Sequence, residues 1–205
     1  LRAFRGAKMM KCVLIAPDDG YQPSFLEGAA EFQAMGRLDS TYAVYLGYNL
    51  DSLRDRFAQF TRDLNALSDE SRAANGWYVD NVLWLVARKE YVGQVSLRPE
   101  LSTNYLIQFG GHIGYSIRPT KRRCGFGEKI LALALDRACE LGLHRVLVTC
   151  DSDNVASRKI IERNGGTFEY AMPMDSHAFR AEGRPPNEGV TKRRYWIDLV
   201  PVEVG

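Results

Sequence analysis

The stretch Arg122-Arg123-Cys124-Gly125-Phe126-Gly127 runs straight into an amphipathic helical pattern, Glu128 to Leu141, and follows an extended segment, Gly111 to Pro119. Glycines at 125 and 127 let backbone N–H groups approach an anion without a Cβ in the way. The helix directs its positive dipole end and its unpaired first-turn donors at the same spot. Strand, glycine turn and helix together predict a phosphate site. The alternative is a surface turn with incidental charge.

Basic side chains strengthen the phosphate interpretation, because Lys121, Arg122 and Arg123 place positive charge where a pyrophosphate would lie. Two better-known phosphate loops are excluded. A dinucleotide fingerprint requires a third glycine, but the chain continues Glu128-Lys129-Ile130 after the second one. A Walker loop requires Gly-Lys-Ser/Thr, which this stretch does not contain.

Size and composition indicate an ordinary globular chain. Its 205 residues fit one domain, 1–205, with 45% hydrophobic and 25% charged residues. A formal net charge of +2 gives no reason to expect a nucleic-acid partner. The apolar run from Cys12 to Ala16 is strand-sized, so no membrane partner is expected.

The cysteines and histidines give no metal or disulfide pattern. None of the four cysteines forms a Cys-x-x-Cys pair, and this suits a reducing compartment, so a cytoplasmic location is expected. The three histidines are scattered without metal-ligand spacing, and we expect no metal. Residues 1–9 lack an apolar stretch long enough for a signal peptide, and we interpret them as appended residues or as sequence upstream of a start at Met9 or Met10.

The first half of the chain predicts a strand, two helices and a hairpin. Ser24 and Glu27 have the spacing of a capping box for the first helix, and Asp51 is the predicted N-cap of the second. The predicted elements are a strand at 11–16, helices from Phe25 to about Met35 and from Asp51 to Leu64, a loop or short helical turn at 68–76, and paired strands at 82–87 and 91–97.

The second half predicts alternating strands and helices. Gly142 ends the helix that follows the glycine turn, and Asn154 is a candidate N-cap for a short later helix. The remaining predicted elements are an irregular connection at 99–110, a strand at 145–150, a helix from Val155 to Arg163, and strands at 167–172 and 194–200.

This chain resembles the GNAT acetyltransferase superfamily. The acetyl-CoA pyrophosphate loop of that superfamily has the pattern Gln/Arg-x-x-Gly-x-Gly/Ala, which Arg122, Gly125 and Gly127 of this chain match. About 30 residues later, Asn154 and Ser157 match a second family segment, Asn-x-x-Ala/Ser. The resemblance is strongest from Gly111 to Phe168 and extends to predicted bacterial acetyltransferases without an assigned substrate. It implies an α/β (α+β) fold with a mixed, mostly antiparallel sheet, splayed at the cofactor site and covered by helices on both faces.

The resemblance also implies an activity and a coenzyme site. The expected reaction is direct transfer of acetyl from acetyl-CoA, the cosubstrate, to an amine. Ile117 would present its backbone N–H to the thioester carbonyl. The other residues expected at the coenzyme are Ser116, Arg122, Arg123, Cys124, Gly125, Phe126, Gly127, Glu128, Asn154 and Ser157. Simple helix capping is the competing role for Asn154.

The resemblance does not by itself assign the general base and the general acid. His112 is the candidate base, because its ordinary pKa is about 6.5 and it lies on the strand leading to the coenzyme; hydrogen bonding to a neighbouring backbone group is its alternative role, and Glu100 is a weaker candidate. Many family members carry a tyrosine acid where this chain has Ile161. Tyr115 and Tyr170 are candidate substitutes.

The sequence does not choose between a small-molecule amine and a peptide amine as the acceptor. It also leaves open whether the chain forms a homodimer. Family precedent directs acceptor binding to residues 36–50, to Trp77-Tyr78 and to the insert 173–192. The absence of the usual tyrosine also supports an alternative function, a non-catalytic acyl-CoA-binding or regulatory module. A nucleotide-binding protein using the same loop is the weakest alternative.

Overall fold

The computed structural model describes residues 11–174 and 191–199. It is organised around one seven-stranded sheet of order β1-β2-β3-β4-β5-β7-β6. The strands are β1 Cys12–Ile15, β2 Asn81–Ala87, β3 Glu90–Leu97, β4 Ile113–Ile117, β5 Arg145–Asp151, β6 Thr167–Pro173 and β7 Thr191–Asp198. Every adjacent pair is antiparallel except β4 and β5, which are parallel. The predicted mixed, mostly antiparallel sheet is therefore confirmed.

Helices cover both faces of the sheet, as expected. The helices are α1 Gln22–Ala34, α2 Leu50–Asp55, α3 Phe57–Ala66, α4 Ser71–Ala74, α5 Phe126–Glu140 and α6 Val155–Arg163. On one face α1, α2 and α3 pack against β2 and β3 through aromatic side chains. Phe25 lies at the centre of this group, with its ring 4.8 Å from that of Trp84 and 5.3 Å from that of Phe60. Each such buried side chain contributes roughly 2–3 kcal/mol.

The opposite face is covered by α5 and α6. Its core is aliphatic, with Ile130 and Leu131 of α5 and Ile161 of α6 fully buried against β3, β4 and β5. Gly127 allows the two helices to approach, because a Cβ there would lie 2.5 Å from Cδ1 of Ile160. Gly142, with φ of 80°, follows α5 as predicted.

Two predicted helix caps are wrong. Helix α1 begins at Gln22 with a proline in its first turn, and the hydroxyl of Ser24 accepts instead from the N–H of Tyr91, 2.8 Å away. Helix α2 begins at Leu50, and Asn49 and Ser52 form its capping box where Asp51 was expected to cap. In both cases the chain enters the helix earlier than the sequence pattern suggests.

The β2–β3 hairpin is confirmed and is tighter than expected. Ala87 pairs with Glu90, so only Arg88 and Lys89 form the turn. Both have positive φ, 50° and 65°, which is the conformation that two-residue hairpin turns require even when asparagine and glycine are absent. The irregular connection at 99–110 contains a π-helical turn, Leu106–Gly110, which packs beside β5.

Candidate active site

The parallel strands β4 and β5 separate soon after they meet. Their ladder has one register pair, Ile113 with Val148. On the other side β4 pairs with β3 along its whole length, from Ile113 to Ile117. The predicted splay is therefore present, and it leaves a gap between the carboxyl-terminal halves of β4 and β5.

The alternation of the β3–β4 ladder determines which backbone groups face this gap. The N–H of Arg118 donates to the carbonyl of Val92 at 2.8 Å, so residues 114, 116 and 118 exchange hydrogen bonds with β3. Tyr115 and Ile117 consequently direct their N–H and C=O groups towards β5, beyond the single register pair. The predicted Ile117 N–H donor points into the gap.

The narrow end of the gap is closed by a clasp made of Gly111, His112 and Leu147. The N–H of His112 donates to the Leu147 carbonyl at 2.8 Å, and the Leu147 N–H donates to Nδ1 of His112 at 2.9 Å. Gly111 has φ of 70°, and a Cβ on it would lie 2.6 Å from the Leu147 carbonyl oxygen. Only glycine permits so close an approach.

The environment of His112 bears on its predicted role as a base. Burial, with a smaller contribution from the Arg98 guanidinium, lowers the pKa of His112 to about 4. The neutral ring accepts at Nδ1 from a backbone amide, so its proton is on Nε2 and no ring nitrogen is open to accept another. This arrangement matches the alternative, structural role; the catalytic role stays a prediction.

The open end of the gap meets the glycine turn and the N-terminus of α5. Arg123 and Gly125 both have left-handed backbones, with φ of 60° and 82°. Gly125 is the N-cap and offers no side-chain cap, so the first-turn N–H groups of this 15-residue helix have no capping side chain. A Cβ at Gly125 would meet nothing within 4 Å. The predicted anion site is thus a turn of concave backbone in front of a helix dipole.

Two predicted coenzyme residues have side chains engaged elsewhere. Nε of Arg122 donates to the carbonyl of Ile117 at 3.1 Å, and its guanidinium lies over Phe32. The hydroxyl of Ser116 donates to the carbonyl of Ser40 at 2.9 Å, on the α1 face of the sheet. Arg122 therefore braces the end of β4, and Ser116 braces the segment that follows α1.

Charged side chains beside the turn form ion pairs with other parts of the chain and do not converge on the anion site. Lys121 pairs with Glu90 at 2.5 Å. Glu128 pairs with Arg163 of α6. Cys124 is exposed and contacts the Arg122 carbonyl, whereas Phe126 is buried. Backbone N–H groups, more than these side chains, are therefore what the turn offers an anion.

Inside the gap lies a cavity of about 210 Å³. Asn154 and Ser157 line it from α6, and Asn154 caps that helix by accepting from the Ser157 N–H at 3.0 Å. The competing role of Asn154 as a cap is confirmed, and its contact with the coenzyme stays a prediction. Thr149, in the β5 wall, donates its hydroxyl proton to the Phe109 carbonyl at 2.5 Å.

Tyr115 is a titratable residue that lines the cavity in the gap. Burial raises the pKa of Tyr115 to about 12, and the nearby Ser157 hydroxyl opposes that rise. Its hydroxyl is buried and has no hydrogen-bond partner among the described residues. Tyr170, the other candidate acid, is 44% exposed under the guanidinium of Arg194, outside the cavity lining. Ile161, where many family members have a tyrosine, is fully buried in the core.

A second group of polar residues was not predicted. Asp80, Ser96 and Arg98 are buried on the α1 face beside the cavity, with Tyr42 covering them. A signal was present in the sequence, because residues 94, 96 and 98 are polar at alternate positions of an otherwise apolar strand pattern and therefore share one face.

Part of the predicted acceptor region cannot be placed, because residues 175–190 of the insert lie outside the described residues. Within residues 11–174 and 191–199, no group of three metal-ligating side chains occurs. No helix in the same two ranges is long and apolar enough to cross a membrane.

Comparison with known proteins gives one family and one fold. The family described as acetyltransferase (GNAT) domain matches residues 28–167. Comparison with curated proteins finds no match. RimL, the ribosomal L7/L12 alpha-N-protein acetyltransferase solved in complex with coenzyme A, superposes with a TM-score of 0.62 at 16% identity, covering 94% of this chain and 96% of its own.

Two further solved structures share the fold. The microcin C7 self-immunity acetyltransferase MccE, in complex with acetyl-CoA and AMP, has a TM-score of 0.62 at 14% identity over 92% of each chain. The yncA protein from Salmonella typhimurium, with acetyl-CoA, has a TM-score of 0.53 at 16% identity over 95% and 96%. At such identities these likenesses concern the fold alone.

Proposed function

This chain belongs to the GNAT acetyltransferase family, and we propose that it transfers acetyl from acetyl-CoA to an amine in the gap between β4 and β5. The family match makes it an acetyl-CoA-dependent N-acetyltransferase; the placement of the reaction and the residues that perform it are our proposal. One observation carries that placement. An unpaired stretch of strand edge, at Tyr115 and Ile117, adjoins the uncapped N-terminus of a long helix.

The pyrophosphate of the coenzyme is assigned to the glycine turn. The N–H groups of Phe126, Gly127 and Glu128 stand in the first turn of α5, where intrahelical acceptors do not reach them. The left-handed residues Arg123 and Gly125 turn further backbone donors towards the same point. Positive charge at Arg123, which is exposed, strengthens anion binding, and salt in solution screens it.

The pantetheine arm is assigned to the gap. Its amides would pair with the N–H groups of Tyr115 and Ile117 and with the Tyr115 carbonyl, as an added strand does. The Ile117 carbonyl already accepts from Nε of Arg122. Asn154 and Ser157 line the opposite side of the cavity and would contact the arm. Ser116 would act indirectly, because its hydroxyl bond to Ser40 fixes the strand that presents these donors.

The chemistry follows from these positions. An N–H donor facing the gap stabilises negative charge that develops on the thioester carbonyl oxygen. As the acceptor nitrogen attacks and the C–S bond breaks, the departing sulfur needs a proton. Tyr115 is protonated at neutral pH because its pKa is about 12. Its buried hydroxyl forms no hydrogen bond of ordinary geometry among the described residues, although the Ser157 hydroxyl is nearby. We assign the acid role to Tyr115. The amine proton leaves through a base or water.

A reducing location fits this chain. All four cysteines lie among the described residues and none forms a disulfide, which suits a protein that works among reduced thiols. The proposal therefore places the enzyme in the cytoplasm.

The test uses a matched pair of variants at the glycine turn. Gly125→Asp and Gly125→Asn have nearly the same shape and the same left-handed backbone, and both offer a cap to α5, but only aspartate places a negative charge in the anion site. We expect acetyl-CoA to raise the melting temperature of the wild-type chain and of the Asn variant, and to have little effect on the Asp variant.

Release of free thiol from acetyl-CoA in the presence of an amine library completes the test. No thermal shift in the wild-type chain at saturating acetyl-CoA would contradict the proposed coenzyme site. A shift without thiol release from any amine would instead indicate the non-catalytic acyl-CoA-binding module.

A further inference from the structure

Arg98 is a charged side chain that the proposed transfer does not use. It follows β3, is 6% exposed, and lines the same cavity as Tyr115. Its Nε lies 3.4 Å from a carboxylate oxygen of Asp80, and its guanidinium lies over the ring of Tyr78. A buried arginine facing a cavity either supports the fold or binds a ligand, and its hydrogen bonds distinguish these roles.

Both oxygens of the Asp80 carboxylate accept hydrogen bonds from residues other than Arg98. Tyr42 donates to one oxygen at 2.5 Å, and Ser96 donates to the other at 2.6 Å. Burial and the neighbouring Asp80 charge raise the pKa of Tyr42, so the phenol stays a donor. Within residues 11–174 and 191–199, Arg98 Nε has no hydrogen bond that meets ordinary geometry. The ion pair therefore leaves much of the guanidinium available.

Each of the two terminal nitrogens of Arg98 donates one hydrogen bond. Nη1 donates to the Gly111 carbonyl at 3.1 Å, and Nη2 donates to the Tyr42 hydroxyl at 3.3 Å. Each terminal nitrogen carries two N–H groups, so one on each has no partner among the described residues. Two donors on one planar guanidinium fork can bind a carboxylate.

Gly114 keeps this fork accessible. It lies on β4 beside Tyr115 and also lines the cavity. A Cβ at Gly114 would be 3.8 Å from Nη2 and 3.9 Å from Nη1, in contact with both. A side chain longer than alanine would therefore cover the fork, and glycine leaves it open from the β4 side.

We propose that Arg98 binds the carboxylate of the acceptor, which makes the acceptor a small amine that also carries a carboxylate, such as an amino acid. This inference rests on the proposed function, since it names the second substrate of the same site. Gly114 and Tyr115 are neighbours on β4 and face opposite sides of the sheet, yet both line the same cavity as Arg98. A carboxylate bound at Arg98 therefore lies in the cavity that Tyr115 also lines.

Charge and size support the same class. A polyamine has no anion to offer the free donors of the guanidinium. The cavity has a volume of about 210 Å³ and also takes the pantetheine arm in the proposed function, so the space left beside Arg98 favours a compact acceptor.

The experiment compares amines in matched pairs. Thiol release from acetyl-CoA is measured with each of the common amino acids and with its carboxamide, which differs only in the charged group, together with spermidine as a polyamine. We expect at least one amino acid to be acetylated about 100-fold faster, in kcat/KM, than its carboxamide. Acetyl-CoA binding, followed by thermal shift in every sample, reports separately on the proposed function.

Two variants test the residues. Arg98→Lys keeps the positive charge but loses the planar fork, and Gly114→Val covers the fork without touching the ion pair. Both should lose the preference for carboxylate over carboxamide while retaining the thermal shift with acetyl-CoA. Because Arg98→Lys disturbs a buried pair and can fail to fold, Gly114→Val carries the test alone in that case.

The contrary outcomes are distinct. Equal or faster acetylation of carboxamides or of spermidine, with acetyl-CoA bound, would overturn the role of Arg98 and leave the proposed function intact. Turnover of no amino acid, with acetyl-CoA bound, would also overturn it. Loss of acetyl-CoA binding by the wild-type chain would remove the proposed coenzyme site itself.

Discussion

Strand β4 is paired along its whole length on one edge but at only one residue on the other. Towards β3, every residue from Ile113 to Ile117 has a register partner. Towards β5, only Ile113 has one, opposite Val148. The same five residues therefore build a continuous sheet on one side and an open gap on the other.

An edge inside a sheet can therefore serve as a binding site. Backbone donors and acceptors require partners, and an interior edge without a ladder is costly unless water or a ligand supplies them. The coenzyme arm carries amides that fit such an edge. The paired edge gives the strand its rigidity, and the unpaired edge then presents Tyr115 and Ile117 in fixed positions.

The largest expected effect tests the paired edge. Gly93 lies opposite Ile117, and a Cβ on Gly93 would fall 2.3 Å from the Ser116 carbonyl oxygen. We expect Gly93→Ala to lower the free energy of unfolding by about 3 kcal/mol, because backbone cannot move aside as a side chain can. Urea denaturation measures the loss.

The matched control for this substitution lies on β4. In Gly114→Ala the added methyl meets its nearest atoms at 3.8 Å, so the free energy of unfolding should change by less than about 1 kcal/mol. Similar losses in the two variants would mean that the β3–β4 edge is not the rigid one.

Hydrogen exchange compares the two edges within one strand. The N–H groups of Gly114 and Ser116 should be protected in the free protein, since they pair with β3. Those of Tyr115 and Ile117 should exchange readily and become at least about 10-fold slower when acetyl-CoA is added. Residue-resolved NMR exchange measures this, with Gly125→Asp as the variant that should not respond. Protection of all four amides before coenzyme is added would refute an open edge.

The clasp at the closed end of the gap should respond to pH. The pKa of His112 is about 4 in the folded chain and about 6.5 when unfolded, so between these values the unfolded state binds more protons. Stability from this group is complete above pH 6.5 and is lost as pH falls towards 4. Allowing for partial exposure of the ring, we expect a loss of roughly 1–2 kcal/mol, measured by denaturation at several pH values.

His112→Gln separates the clasp from catalysis. Glutamine can still accept from the Leu147 N–H but does not titrate, so this part of the pH dependence should disappear. If His112 acts as a clasp, the variant should keep most of its turnover rate near neutral pH. A turnover rate lowered by about 100-fold or more, with stability unchanged, would instead establish the base role predicted from the sequence.

The smallest effect concerns Asn154, which has two candidate roles. Asn154→Ala should cost about 1 kcal/mol of stability through loss of the α6 cap, whereas Asn154→Asp should keep that stability. If Asn154 also contacts the coenzyme through its amide, both variants should bind acetyl-CoA more weakly. Unchanged affinity in both would limit Asn154 to capping.

Prediction from sequence succeeded where one short pattern decides the outcome. Helix α6 was predicted from Val155 to Arg163 and occurs there, because an N-cap and a stop signal of asparagine and two glycines flank it. Prediction of the caps at Ser24 and Asp51 was wrong. Proline and asparagine near the true starts begin those helices, and Ser24 is used by a strand distant in sequence.

The amino-acid sequence by itself indicated the family, because the spacing of the glycines in the turn and of Asn154 and Ser157 is local. The mixed sheet followed from that family resemblance, and the phosphate-binding role of the turn stays a prediction. Only the tertiary structure decided what His112, Arg98 and Tyr115 face, because a side chain's partners come from chain segments tens of residues away. The turn at Arg122 to Gly127 is our proposed site for the acyl donor. The acceptor that we propose depends on a cavity lined by β4, β5 and the residue that follows β3, which no single stretch of sequence contains.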